Sequence, residues 1–407
     1  MKPNYFFLSV VFLFAVLDIL VLLRVYALLR KMPNRVNLRR ILVAWSVVSV
    51  LFCIAWLFEN GRLGGTRDPV SRPLVAAQYI WHFLFVPILV LGLGLDALVR
   101  LIRTGWRRLW VETSPPTPSQ EEAAPSPTGP NYSRRQFLTS AAFVVAPLTT
   151  AGLAGAGVSQ IGKFRLRFFD LPVAGLPAVL DNYTMTIIAD VHIGVFSTPK
   201  MLDDIVEASN RLRSDLVLLP GDLINISHAD LPAAVEMVLR LDSRDGVYLI
   251  QGNHDVAEGS DHFDNVVRRR GVNLLVDEAM TINSRGRRFQ LLGTRWLDMS
   301  GARDASVAYT AALRDPEMFA MMMAHHPHSW DVAADNGIPL VISGHTHGGQ
   351  IMLSRQVGLG RLRFRYLSGQ YTRPGSTLIV SNGVGNWFPL RIGAPAEILQ
   401  ITLHPQA

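Results

Sequence analysis

Ten residues in the second half of the chain carry side chains that bind metals or move protons, and they fall in five short clusters. Asp190 and His192 are separated by one residue. Asp222 follows a glycine. Asn253, His254 and Asp255 complete a Gly-Asn-His-Asp, His325 precedes His326, and His345 and His347 flank Thr346. The donors are imidazole, carboxylate and amide oxygen, without sulfur, a set that suits Mn, Fe or Zn. Two such ions about 3.5–4 Å apart can clamp the attacking and leaving oxygens of an in-line phosphoryl displacement, with a bridging carboxylate as a natural part. Singly, each cluster has a bland reading: Asp-x-His and Gly-Asp are ordinary turns, and Gly-His-Thr-His can be a structural pair. Five in this order, each behind an apolar run, point to a site.

The runs that must position these clusters are of strand length. Apolar stretches at 185–189, 216–219, 247–250, 289–292, 321–324, 340–342 and 377–380 end in polar residues, and helical spacing fills 202–213 and 231–241. Five of the runs deliver the five clusters to one edge of a sheet, where open α/β sheets bind ligands. Glycines beside the clusters let the backbone turn sharply and approach the site. Residues 164–407 therefore read as one α/β domain with sheets between helical layers.

Asp190-Val191-His192, Gly221-Asp222, Gly252-Asn253-His254-Asp255, His325 and Gly344-His345-Thr346-His347 resemble the five motifs of the calcineurin-like metallophosphoesterase superfamily, over about residues 183–403. The run 344–350, with 366–371 and 381–385, is similar to its bacterial membrane-associated phosphohydrolase branch. The resemblance implies a four-layer αββα sandwich with the site at the strand C-terminal ends. It implies one metal on Asp190, His192 and His347, a second on Asn253, His325 and His345, and Asp222 bridging the two. It gives His254 the role of acid or transition-state stabiliser, oriented by Asp255. The family pattern places a ligand two residues before Pro327, which selects His325 over His326 and leaves His328 outside. Gly293-Thr294-Arg295-Trp296 departs from the acidic residues expected there, so substrate contacts differ from that branch.

The first half has another texture. The whole chain of 407 residues is 49% hydrophobic and only 17% charged, with a mean hydropathy of +0.24. Stretches 6–29, 41–58 and 74–98 each approach or exceed the roughly 20 apolar residues that span a bilayer. Residues 1–111 are thus expected to form a three-helix, all-α transmembrane region, with Asp18 inside the first span. Residues 112–133 are a Pro/Ser-rich linker. Segment 134–160 follows Ser133 with Arg134-Arg135-Gln136-Phe137-Leu138, which resembles a twin-arginine export signal; it can equally stay as a fourth transmembrane segment. Ala154-Gly155-Ala156 would be a cleavage site in the first case.

The net charge of +7 is unevenly placed. Residues 1–163 hold 17 Lys+Arg and 7 Asp+Glu, whereas 164–407 hold 22 and 25. The basic surplus lies in the loops around 30–40 and 100–135, which should be cytoplasmic. The domain after residue 160 then lies on the extracytoplasmic side of the cell (inner) membrane. An acidic domain has no overall surplus to hold a polyanion, so nucleic acid is not expected as a partner. Cys53 is the only cysteine, which excludes an intramolecular disulfide.

Together these observations predict a membrane-anchored phosphoesterase with two divalent or trivalent metal ions, acting on phosphodiesters or on a phospholipid or lipid-linked phosphate through a metal-activated hydroxide. A membrane sensor or scaffold that kept the fold without turnover, or a nuclease, are the competing readings. Past the last histidines, Arg355, Arg361, Arg363, Arg365 and Arg373 interleave with leucines and aromatics. The alternation at 361–366 predicts a strand with one basic face bordering the metals; the competing reading is an ordinary solvated strand.

Overall fold

The computed structural model describes residues 5–29, 40, 43–52, 71–109, 134–354 and 357–406. They belong to two compact units, residues 1–63 with 74–155 and residues 64–73 with 156–407.

In the first unit, α1 (Tyr5–Leu29) is followed by α2 (Val43–Phe52) and α3 (Ser71–Ile80), which runs through a π-turn (Trp81–Phe85) into α4 (Val86–Leu109). Among the described residues, one helix, Pro73–Trp106, is long and apolar enough to cross a membrane; Val11–Leu23 and Val43–Phe52 are shorter apolar helices. The expected three spans therefore appear as one full-length candidate and two shorter segments. Residues 53–58 of the second span and the linker at 112–133 lie outside the described residues. The twin-arginine stretch begins α5 (Arg134–Gln160).

Asp18 is buried on α1. Trp81 Nε1 donates to its Oδ1 at 2.9 Å, and His82 Nε2 lies 2.8 Å from its Oδ2. The π-turn brings two consecutive side chains onto one carboxylate, a use of the wide turn that fits its habit of marking special positions. Replacing Asp18 by Ala leaves the indole N–H and the imidazole without their acceptor among apolar helices, which costs about 1–3 kcal/mol. The expected result is a lower melting temperature of the full chain in detergent, followed by circular dichroism, with Asp18→Asn closer to wild type. An unchanged midpoint for Asp18→Ala would remove this structural role.

The second unit holds two six-stranded sheets. The first runs, in order, β1 (Arg165–Val173), β12 (Glu397–Pro405), β2 (Tyr183–Ile187), β3 (Leu216–Leu219), β4 (Val247–Ile250) and β5 (Asn273–Leu275). The second runs β10 (Gly369–Arg373), β11 (Ser376–Val380), β9 (Leu340–Ser343), β8 (Ala320–Met323), β7 (Arg287–Gly293) and β6 (Glu278–Ser284). The central strands β2, β3, β4 and β7, β8, β9 pair in parallel within their sheets.

Alternation decides what each face meets. Met185, Ile187, Leu216 and Leu218 of one sheet share a core with Leu291, Met321, Met323 and Ile342 of the other. The opposite faces, Val217, Leu219 and Leu249, pack under α6 (Pro199–Arg211), α7 (Leu231–Leu239) and α8 (Ser260–Arg269). Leu292, Met322 and Val341 pack under α9 (Ser300–Ala312) and α10 (Ser329–Asp335). Strands buried on both faces are why the sequence shows continuous apolar runs rather than alternation. The result is the expected four-layer helix–sheet–sheet–helix sandwich. Its first sheet closes late: fully buried Glu397 accepts from Arg165 Nη2 at 2.7 Å and Nε at 3.0 Å, tying β12 to β1.

Candidate metal centre

The chain leaves β2, β3, β4, β8 and β9 at the same edge, and each exit carries one cluster. Asp190, His192, Asp222, His345 and His347 all have φ between 47° and 71°, the left-handed region. Few L-residues other than Asn, Asp and His enter that region readily, and the sharp reversals it allows suit the strand exits. Here the exits bend back on one another: His192 N donates to Asp222 O at 3.0 Å, and His345 N to Asp190 Oδ1 at 2.8 Å.

These bends gather the ligand atoms. Asp190, His192 and His347 form one group and Asp222, His325 and His345 another, the ligand atoms of each lying within 4.8 Å of one another. Asp222 also groups with His192 and His254. Its Oδ2 lies 3.1 Å from His325 Nε2 and 3.6 Å from His192 Nε2, so one carboxylate faces both groups. Asn253 Oδ1 joins the second group, 2.9 Å from His345 Nδ1 and 3.3 Å from His325 Nε2. All seven expected ligands thus converge. His326 belongs to none of these groups; its ring packs against His345 at 4.9 Å and against Trp296 and Phe364.

The donor set fits a cation. Asp190 Oδ2 is buried with no hydrogen-bond partner. Burial pulls His192, His345 and His347 well below the usual imidazole range, which keeps them in the neutral form that ligates. Burial, helped by the Asp222 charge, pushes Asp190 up to about 7. For Asp222, burial pushes the carboxyl up, but His325 and His254 outweigh it and hold it well below the usual range. Burial alone would pull His325 down, but the neighbouring Asp222 carboxylate outweighs it and pushes His325 up to about 9; its Nδ1 donates to the carbonyl of Pro220 at 2.7 Å, so Nε2 must shed its proton to ligate a cation.

His254 differs from the expectation in what holds it. Its Nδ1 bonds the carbonyl of Asn225, and its backbone N–H donates to Asp222 Oδ1 at 2.9 Å. Asp255 does not orient the ring. It is buried, accepts from the amides of Gly252 and Ile224 at 2.9 and 3.0 Å, and is pushed up to about 8 by burial and by Asp222. A carboxylate one residue past a histidine on a tight turn serves the loop backbone more readily than the neighbouring side chain.

Several site residues carry no sequence signal of their own. Arg391 is buried and donates from Nη2 to His347 Nδ1 at 2.9 Å and to the Gly385 carbonyl at 2.6 Å, and from Nη1 to the Asn382 carbonyl at 2.8 Å. Its isolation in a stretch without acids was the available hint. Trp296 lies 5.1 and 5.3 Å from the rings of His345 and His325, Phe364 5.4 Å from His345, and Trp387 6.4 Å from His254. His328 supports the wall, accepting from Arg365 N at 3.1 Å.

The expected basic strand at 361–366 is absent. Residues Leu359–Leu362 form a 3-10 turn, closed by Arg363 N and Phe364 N donating to Gly360 O at 3.1 and 2.9 Å. Glycines at 358 and 360 favour turning over extension, and this turn drops Phe364 against the histidines. Arg355 lies outside the described residues.

Gly385 shows how closely the site is built. A Cβ there would sit 1.8 Å from Val191 O, on the backbone between Asp190 and His192. Gly385→Ala should displace both ligands and weaken metal binding by about 10–100-fold, the range for loss of ligand support. Calorimetric metal titration would show this, and unchanged affinity would mean the loop relaxes freely.

Comparisons with known proteins agree with this geometry. A family model described as calcineurin-like phosphoesterase matches residues 183–349. An uncharacterized metallophosphoesterase of Helicobacter pylori is 29% identical over 225 residues, 54% of this chain and 59% of the relative. A protein of Danio rerio named as a transmembrane protein with metallophosphoesterase domain is 29% identical over 280 residues, 64% of this chain and 62% of the relative. The phosphodiesterase YaeI of Escherichia coli is 26% identical over 288 residues, 67% of this chain and 99% of the relative. The match thus spans about three fifths of the first two relatives and nearly all of the third. Five clusters converge on one sandwich edge, and the family model that covers the strands carrying them makes residues 183–349 a match to the calcineurin-like phosphoesterase family.

Proposed function

We propose that this chain is a metal-dependent phosphoester hydrolase with a dinuclear centre, held at a membrane by its N-terminal helices. The observation that carries the reading is Asp222, one buried carboxylate facing two ligand groups. Asp190, His192 and His347 would hold one ion and Asn253, His325 and His345 the other, with Asp222 between. Bound there, the pair would supply Lewis acidity and a nucleophile from water at neutral pH. The chain's own residues do the rest. Arg391 and Pro220 O fix the rings of His347 and His325. His254, held at Nδ1, can deliver or stabilise a proton at the leaving oxygen through Nε2. Trp296, Phe364 and Trp387 wall the centre and limit water.

The proposed substrates are phosphodiesters or lipid-linked phosphates, and the domain is placed on the extracytoplasmic side, reached by the twin-arginine segment or by a plain fourth span. The relative named as a transmembrane protein and the helix Pro73–Trp106 support the anchoring. The test is hydrolysis of bis(p-nitrophenyl) phosphate by the purified full chain with Mn, Fe or Zn, and its loss with chelator. Full metal loading without turnover of this ester, of phospholipids or of single-stranded DNA and RNA would favour the scaffold reading. Preferential cleavage of the nucleic acids would favour a nuclease.

A further inference from the structure

The described residues of segment 350–366, which are 350–354 and 357–366, are anchored yet present apolar side chains to solvent. Met352 N donates to Ile392 O at 2.8 Å, Leu353 N to Val357 O at 2.8 Å, and Leu359 N to Ile351 O at 3.1 Å. From this held backbone Leu353 and Leu362 are 81% and 86% exposed, and Val357 and Leu359 are also exposed. A single exposed leucine needs no explanation, but three leucines and a valine on one pinned segment mark a contact surface.

Charge says what the contact is. Between Asp335 and Glu397 the chain has no acidic residue and six arginines, although the domain as a whole is slightly acidic. Arg361 and Arg363 are exposed among the leucines. Arg361 Nη1 donates to Arg365 O at 3.1 Å, and the Arg363 guanidinium lies over the Phe364 ring at 5.5 Å. Arg365 is turned aside toward Asp331, 3.3 Å away. Leucines interspersed with cations match the two layers of an anionic lipid surface, apolar tails beneath phosphate headgroups. A protein partner would call for no particular alternation of exposed leucines at 359 and 362 with exposed arginines at 361 and 363.

We propose that segment 350–366 seats in an anionic lipid surface, its leucines entering the acyl layer and Arg361 and Arg363 meeting headgroup phosphates. Phe364, two residues beyond Leu362, lies 5.4 Å from the His345 ring, so the seated segment opens directly on the metal centre. The substrate is then an amphiphilic phosphoester presented by that surface; this half of the inference rests on the hydrolase reading above.

The experiment uses the full chain with Cys53→Ser and Leu362→Cys, labelled with an environment-sensitive NBD dye and reconstituted in phosphatidylcholine vesicles with or without phosphatidylglycerol. Emission should brighten and shift to the blue with the anionic lipid, and revert with Arg361→Gln and Arg363→Gln. An aqueous spectrum in both vesicles overturns the proposal. So does an apolar spectrum that depends on protein concentration in neutral detergent, which would mean a second copy covers the face. In parallel, Leu359→Ser with Leu362→Ser should slow hydrolysis of an amphiphilic phosphodiester in mixed micelles about tenfold, with bis(p-nitrophenyl) phosphate unaffected. Equal loss on both substrates overturns the amphiphile preference. Dye insertion with metals bound and neither substrate cleaved would leave the lipid contact standing and sink the hydrolase reading instead.

Discussion

Asp222→Asn is expected to strip the centre of metal and reduce turnover to background. The substitution is isosteric, so Oδ1 can still accept from His254 N, as it does at 2.9 Å in the wild type. The other position then becomes an amide N–H₂ aimed at His325 Nε2 and His192 Nε2, 3.1 and 3.6 Å away. A donor replaces an anion at the point shared by both ligand groups, and two dications lose their common counter-charge. The loss should exceed the roughly 10–100-fold seen when only a supporting partner is removed. Elemental analysis of the purified variant checks it directly; two ions per chain with normal turnover would show that Asp222 does not bridge.

His254→Ala should behave in the opposite way, keeping metal and losing rate. Removal of general acid–base help costs about 10²–10⁴-fold. The ring is pinned by Asn225 O at Nδ1, and its nearest ring neighbour is His192 at a centroid distance of 4.5 Å. It lies outside the two groups assigned to metal but within ligand distance of His192 and Asp222, so metal content decides its role. The loss should shrink for nitrophenyl esters, whose leaving group needs no proton, and be largest for alkyl esters. A uniform loss across leaving groups would point to positioning or electrostatics. A loss of metal would make His254 a ligand.

What the sequence disclosed and what it hid follow from burial. Strands sandwiched between two apolar layers, such as β3 and β8, write themselves as unbroken runs, and their polar exits mark the site. β12 is buried along its first three residues and then alternates, with Gln400 and Thr402 partly exposed, and its closing partner Arg165 lies more than two hundred residues away. β1, β6 and β10 lie at sheet edges and carry exposed polar positions, so no periodicity singles them out. The ligands were legible because chemistry demands those side chains at strand ends. Arg391, Asn225 and Trp387 were not, because an arginine, a backbone carbonyl and an indole take on their parts only once the fold brings them to the histidines. The alternation at 361–366 misled because period two was read without weighing the glycines before it.

The left-handed backbone at Asp190, His192, Asp222, His345 and His347 has a bearing on the chain's history. Glycine or asparagine would occupy each of these five positions more comfortably. A lineage that needed only the sandwich, as a scaffold would, gains stability by drifting toward them, and nothing opposes the drift once metal is no longer held. Aspartate and histidine at all five, where glycine would relax the turn, are what continued use of the site predicts under the proposed reading.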